Sequence, residues 1–331
     1  MSAKFLEGVG GKLAEQWVAT LLTPAFVFWA GGAVAALQRF GWATLSTEFI
    51  KQPEPLQIAF LVSVFCLIAA SAFVVQRFDL AVLRWLEGYW HPWLSPLRRW
   101  LIKLEFAHSQ KLNRRYQNIA RELSQSQLTE QQANEFDTFQ QLEPSELTQV
   151  QREKFQELTG LVQRRAEQQN ELIRCDLQQH SLPLPDQLMP TRLGNILRAA
   201  EQRPLEKYGL NAIVCWSRLW LLLSDAVKKD LQEARADLNA AARAWLWSVL
   251  FIVWTALGAW WAAPVGILSA IFAYYYWALA AARIYGELIE ATFDLHRQLL
   301  YQSLRWNLPA DPEVERQVGQ ELTQYLWRGY I

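Results

Sequence analysis

Three long stretches of this chain carry no charged residue, and the charged side chains are gathered outside them. Trp17 to Gln38 is an uncharged run of 22 residues, and Pro55 to Gln76 is another of 22. Between Arg243 and Arg283 lie 39 more, with Pro264 and Gly266 near the middle. A helix rising about 1.5 Å per residue crosses a hydrocarbon core of about 30 Å in about 20 residues. Each of the first two runs therefore suffices for one crossing. The third would reach about 58 Å as a single helix, more than tilting can absorb. It divides at Ala263-Pro264-Val265-Gly266 into a hairpin of about 245–262 and 265–282, because Pro and Gly punctuate a turn. Buried helices of a water-soluble protein are the competing reading, and runs of this length without one charge argue against it.

The pattern predicts an all-α polytopic membrane protein with four transmembrane helices in two pairs. A cytoplasmic N-terminal segment (1–16) precedes the first pair, 17–76, whose spans are about 17–38 and 56–76. Ala33-Val34-Ala35 has the look of a signal-peptide cleavage site, but Glu7 and Glu15 among the sixteen preceding residues favour a retained span. A cytoplasmic helical domain (77–243) follows, then the transmembrane hairpin (244–282), then a helical stalk and C-terminal helix (283–331). Orientation rests on Lys and Arg near the span ends. Arg77, Arg84, Arg98, Arg99 and Lys103 follow the second span, and Lys228, Lys229, Arg235 and Arg243 precede the third. The first loop has only Arg39 and Lys51, and the hairpin turn has none. Both termini are expected on the cytoplasmic side of a bacterial inner membrane.

Inside the polar region, segment 80–104 interleaves Trp85, Trp90, Trp93 and Trp100 with Arg84, Arg98, Arg99 and Lys103. Aromatic and cationic side chains mixed on short helices suit the membrane surface. A helix packed on other cytoplasmic helices is the alternative. Ser95-Pro96 predicts a helix start, and apolar residues at helical spacing predict helices to about Ser124 and from Ser145 to about Gln179. Together they make a helical hairpin over 96–180 with Gln-rich outer faces. Thr191 caps a helix to about Gln202, Pro204 marks a turn, and Leu210 to Leu223 are too few to span. Ser224 caps a helix running unbroken to Ala262, the fourth span continues to about Trp306, and Asp311-Pro312 opens a last helix ending before Gly329.

Composition narrows the function classes. Lys plus Arg equal Asp plus Glu at 32 each, so no global field draws nucleic acid, and none is expected as a partner. The three cysteines, Cys66, Cys175 and Cys215, lack metal-like spacing. Four scattered histidines form no HExxH, and there is no P-loop, GxGxxG or GxSxG. No catalytic residue, cofactor or metal is assigned. The spans hold no Asp, Glu, Lys, Arg or His, which speaks against an ion-coupled transporter.

One stretch has a familiar ring. Thr191-Arg192-Leu193-Gly194-Asn195-Ile196-Leu197-Arg198-Ala199-Ala200-Glu201 is followed by Pro204, Tyr208-Gly209-Leu210 and Trp216-Ser217-Arg218-Leu219-Trp220. After the hydrophobic hairpin come Tyr285-Gly286 and Phe293-Asp294-Leu295-His296-Arg297. The pattern resembles an uncharacterised family of bacterial multi-pass membrane proteins, over roughly residues 190–327. The resemblance implies a bacterial membrane protein and no particular activity.

Four features stand as candidate sites. Arg283, Glu287, Glu290, Asp294 and Arg297 share one helix face by their 4, 3, 4, 3 spacing. The carboxylates Glu287, Glu290 and Asp294 could hold a cation or ring a pore mouth. The weightier reading is ion pairing, Arg283 with Glu287 and the others with Arg192, Arg198 or Arg218. Tyr274-Tyr275-Tyr276-Trp277 is expected to pack on Phe251 and Trp254 across the hairpin rather than form a ligand box. Gly31, Gly32, Ala35 and Ala36 permit close helix approach, within the chain or between copies. Pro24 is a possible kink in the same helix. Two functions are expected from this: a non-enzymatic scaffold in the lipid bilayer, oligomeric and with a cytoplasmic helical domain binding a protein partner, or a homo-oligomeric ion channel with an acidic mouth.

Overall fold

The computed structural model describes residues 23–127, 129–142 and 147–329. The N-terminal segment 1–16 and the first six residues of the first span lie outside the described residues. Every regular element among those described is helical. In chain order they are α1 (Thr23–Phe40), α2 (Trp42–Ile50), α3 (Glu54–Arg77), α4 (Asp79–Glu87), α5 (Ser95–Gln125), α6 (Glu130–Gln141) and α7 (Gln149–His180). There follow α8 (Arg192–Tyr208), α9 (Ala212–Leu222), α10 (Asp225–Phe251), α11 (Ala262–Phe272), α12 (Leu279–Ser303) and α13 (Pro312–Arg328).

Three helical stretches are long and apolar enough to cross a membrane: Glu54–Arg77, Asp225–Leu257 and Ala262–Ser303. α1 contributes 18 described residues, or about 27 Å. On α3 apolar residues point outward all round, with Phe60, Leu61, Val62 and Phe65 each more than half exposed. Away from its contact with α1, this unburied apolar surface is compatible with a membrane span. α1 sits between α3 and α10. Trp29 donates its indole N–H to Ser71 Oγ at 3.1 Å, and Ala25 is buried beside Ile68, Ala72 and Trp247.

The turn of the hairpin is displaced from its expected place. α10 continues as a 3₁₀ stretch, Ile252–Leu257, and stops at Gly258, whose φ of 86° is left-handed. The chain reverses over Gly258 to Trp261, and α11 begins at Ala262. Pro264 therefore lies in the first turn of a helix, where its missing N–H would have had no partner anyway. Gly266 packs under the backbone of Ser248 and Ile252. The apolar run outlasted the turn because the turn itself is made of Gly, Ala and Trp.

A second correction concerns Pro204. It is buried inside α8, which runs on to Tyr208 and ends at left-handed Gly209. Lesser differences occur in the arm. α5 starts at Ser95, as expected, but a 3₁₀ turn at Pro92–Leu94 leads into it, and the extra helix α6 lies between α5 and α7. α7 begins at Gln149, where the Thr148 N–H donates to Gln151 Oε1 at 2.9 Å.

Two cores hold the body together. The upper one joins α4, α8, α10 and α12 through Leu83, Leu193, Leu238 and the alanines Ala241, Ala242 and Ala282. Small side chains there let helix backbones approach closely. The lower one gathers Leu219, Leu231, Phe293, Leu300, Tyr301 and Leu322, closing α9, α10, α12 and α13. α5 and α7 form an arm with its own narrow seam of Leu112, Ile119 and Cys175.

Candidate functional site

The carboxylate stripe of α12 meets His180 of α7 and Lys207 of α8. Glu290 accepts from Lys207 Nζ at 2.7 Å and lies 2.9 Å from His180 Nε2. Asp294 accepts from Lys207 at 3.2 Å and from the Tyr208 hydroxyl at 2.7 Å. Arg297 stacks its guanidinium 3.9 Å from the Tyr208 ring centre and bonds both oxygens of Glu315 on α13, at 2.7 and 3.2 Å. Burial would raise the Glu290 carboxyl, but the hydrogen bonds from Lys207 and His180 outweigh it and hold its pKa below the ordinary value. For Lys207 burial works downward, and its bonds to Glu290 and Asp294 prevail, raising it.

The expected partners are thus replaced. Arg198 bonds Glu201 and Gln187, and Arg218 bonds the Val214 carbonyl. Neither Arg283 with Glu287 nor Arg192 with any carboxylate forms an ion pair among the described residues. Spacing along one helix could not show that α8 lies parallel to α12 and brings Lys207 opposite Asp294. Glu287 is exposed at the edge of a cavity of about 390 Å³ that Glu290 also lines.

A second polar cluster escaped the sequence pattern altogether. Glu87 at the end of α4 faces Arg235, Glu201 and Arg84. Burial is the leading cause that lifts its pKa to about 7, with Glu201 adding and the two arginines opposing. Glu201 is raised by burial against the pull of Arg198 and Arg235. Arg235 also sits 5.4 Å from the centre of the Tyr285 ring. Glu87 on α4, Glu201 on α8, Arg235 on α10 and Tyr285 on α12 come from four helices, so no local spacing signals the cluster.

The remaining candidates are placed as follows. A Cβ on Gly31 would collide with the Phe251 ring, and one on Gly32 with the Trp254 ring. Ala35 is fully buried beside Phe251, and Ala36 is half-buried. This small-residue face is occupied by α10 of the same chain. It also corrects the aromatic assignment, since Phe251 and Trp254 pack on α1 and not on Tyr274–Trp277. Those four lie in a π-helical turn, Ala273–Ala278, linking α11 to α12. Tyr274 Oη accepts from the Leu193 N–H at 3.5 Å, Trp277 donates to Asp237 at 2.9 Å, and Tyr275 and Tyr276 are exposed. Trp93 and Trp100 are 71% and 57% exposed, beside exposed Arg98 and Arg99, while Trp90 donates to the Trp85 carbonyl.

The two stretches that carry the family resemblance pack against each other. Thr191 caps the Gly194 N–H at 3.0 Å, and Gly194 lies against the Glu87 carbonyl. Asn195, 1% exposed, accepts from the Met189 N–H and donates to Glu105. Gly286 faces Ala200, and Phe293 is buried against Trp216. Among the described residues no group of three His, Cys, Asp or Glu is arranged to hold a metal. No family model matches the chain, nor does any curated protein or solved structure.

Proposed function

We propose that this protein is an integral membrane scaffold, non-enzymatic, that crosses the bilayer four times and presents a helical arm to a cytoplasmic protein partner. The described part of α1, the apolar run that precedes it in the sequence, and the three long apolar helices support four crossings. The basic flanks of the arm and body support a cytoplasmic location for both, in a bacterial inner membrane. A homo-oligomer fits this reading as the form in which arms are clustered.

One observation carries the functional part. The arm is a lever whose α7 has 32 residues, about 48 Å of helix, with only a thin seam of its own. Val150 and Leu161 stay exposed on nearly the same side of α7, 11 residues or about three turns apart. Open apolar positions along a projecting helix are available for docking to a partner. The pore reading draws on Glu287, Glu290 and Asp294, and two of these already hold Lys207, His180 and Tyr208 within one chain.

Photo-crosslinkers placed at Val150 and at Leu161 in the full chain, in cells, test the proposal. A discrete adduct with a second polypeptide, lost on Leu161→Glu, is expected. Adducts only with further copies of this chain, or none, would remove the scaffold role. Cysteine labelling of Gly160→Cys and Trp260→Cys from opposite faces of the membrane tests the topology. Labelling of both from one face defeats it. Cation currents in liposomes abolished by Glu287→Gln would favour the pore.

A further inference from the structure

Arg192 and Arg283 converge on a small cavity with no partner of their own. The cavity, about 180 Å³, lies between α5, α7, α8 and α12, and both arginines line it with His108, Gln178 and Ser181. Neither arginine makes an ion pair or hydrogen bond among the described residues. Four less exposed arginines of the body are bonded, Arg198 to Glu201, Arg203 to Glu206, Arg243 to Asp79 and Arg297 to Glu315, whereas Arg192 and Arg283 are exposed at the cavity mouth. The one carboxylate on the wall, Glu105, accepts from Asn195 at 3.1 Å. The cavity shares Arg283, Gln178, Ser181 and Ile196 with the larger one of about 390 Å³ beside Glu287 and Glu290.

Position adds to charge. Arg283 is the first charged residue after the 39-residue apolar run. Arg192 opens α8, and the next residue, Leu193, meets Tyr274 of the π-helical turn within that run. The cavity thus stands where the helices emerge from the apolar zone, at the level of headgroups. A guanidinium matches phosphate oxygens with paired N–H groups, and two unpaired ones in one hollow favour a doubly contacted phosphate. Basic pockets between helices on the cytoplasmic side are a known way to hold phospholipid headgroups.

We infer that Arg192 and Arg283 form a phosphate-binding site at the cytoplasmic membrane surface, taking the phosphate of an anionic phospholipid headgroup or free phosphate. His108, Gln178 and Ser181 add polar groups on the same wall. The lipid form of this inference rests on the membrane-spanning reading, whereas the free-phosphate form does not.

The test uses the full chain purified in detergent. Native mass spectrometry follows retention of dioleoylphosphatidylglycerol against dioleoylphosphatidylcholine, and calorimetry follows inorganic phosphate. Phosphatidylglycerol should be preferred, and Arg192→Gln or Arg283→Gln should each weaken it on the order of tenfold, as expected for losing a charge-assisted hydrogen bond. Arg283→Lys should retain part of the binding, and Arg164→Gln, on the exposed arm, all of it. Should one glutamine variant fail to fold, the other carries the result. Competition by inorganic phosphate assigns the site to free phosphate; none assigns it to lipid. Binding of inorganic phosphate by a chain that needs no detergent would keep the site and remove the spans. Phosphatidylglycerol retention that both glutamine variants leave unchanged, or no binding of either probe, overturns the inference.

Discussion

The ion pair between Asp79 and Arg243 is the sharpest place to test how the helical body is held. Asp79 begins α4, just past the second apolar run, and Arg243 stands one residue before the third. Their side chains are 15% and 9% exposed, and Arg243 Nη1 lies 3.0 Å from Asp79 Oδ2. Burial raises the Asp79 carboxyl, opposed by Arg243 and Arg235, so desolvation there is substantial. At an effective dielectric of about 20 the attraction at this distance is about 5–6 kcal/mol. Desolvating the two ions costs several kcal/mol each, so the pair itself contributes little net stability. Asp79 Oδ1 and Arg243 Nε find no partner among the described residues, which lowers its value further. Losing one partner is another matter. Asp79→Leu strands a buried guanidinium and should cost about 3–5 kcal/mol, as should Arg243→Met by stranding the carboxylate. The double variant should lie within about 1 kcal/mol of the parent or above it. A thermal melt read by a thiol-reactive dye suits the protein, because Cys175 and Cys215 are buried and Cys66 can be replaced by Ser. Single variants should melt about 5–15 °C lower, with the double variant near the parent. Single variants that melt with the parent, or a double variant as unstable as the sum of the singles, would refute the argument.

Three further outcomes follow from the same geometry. The folded protein holds the Glu87 proton more tightly than the unfolded chain does, so this group favours folding below pH about 4.5 and loses that benefit as pH rises to about 7. Glu87→Gln should flatten the fall in melting temperature over that window and stabilise the protein at pH 8 by up to about 2–3 kcal/mol; an unchanged pH profile contradicts it. Gly32→Val, forced against the Trp254 ring, should cost about 1–3 kcal/mol and free α1, read as new protease cleavage near residues 40–52; an unaltered melt and digest would show that α1 does not pack there. Glu290→Gln should cost about 1–2 kcal/mol at pH 7 in the dye melt, and the difference from the parent should shrink as acid protonates Glu290. A difference that persists at pH 3 would mean the carboxylate's charge is not what His180 and Lys207 bind.

The sequence by itself determined whatever depends on neighbours in the chain. Uncharged runs mark the apolar helices, because a charge in a lipid-facing segment is costly wherever the segment packs. Ser224 and Asp311 mark helix starts, since each satisfies backbone N–H groups two or three residues on. Local rules failed where a local feature met a distant one. Pro264 and Gly266 pointed to a turn, but Gly258 made it and Gly266 served a helix crossing. Pro204 pointed to a break, but burial of α8 carried the helix through it. The polar site was decided in the tertiary structure alone: the stripe from Arg283 to Arg297 was visible, yet its partners Lys207 and His180 lie 83 and 110 residues from Glu290. Electrostatic pairing depends on distance through space, which spacing along one helix fixes for that helix and for nothing packed against it.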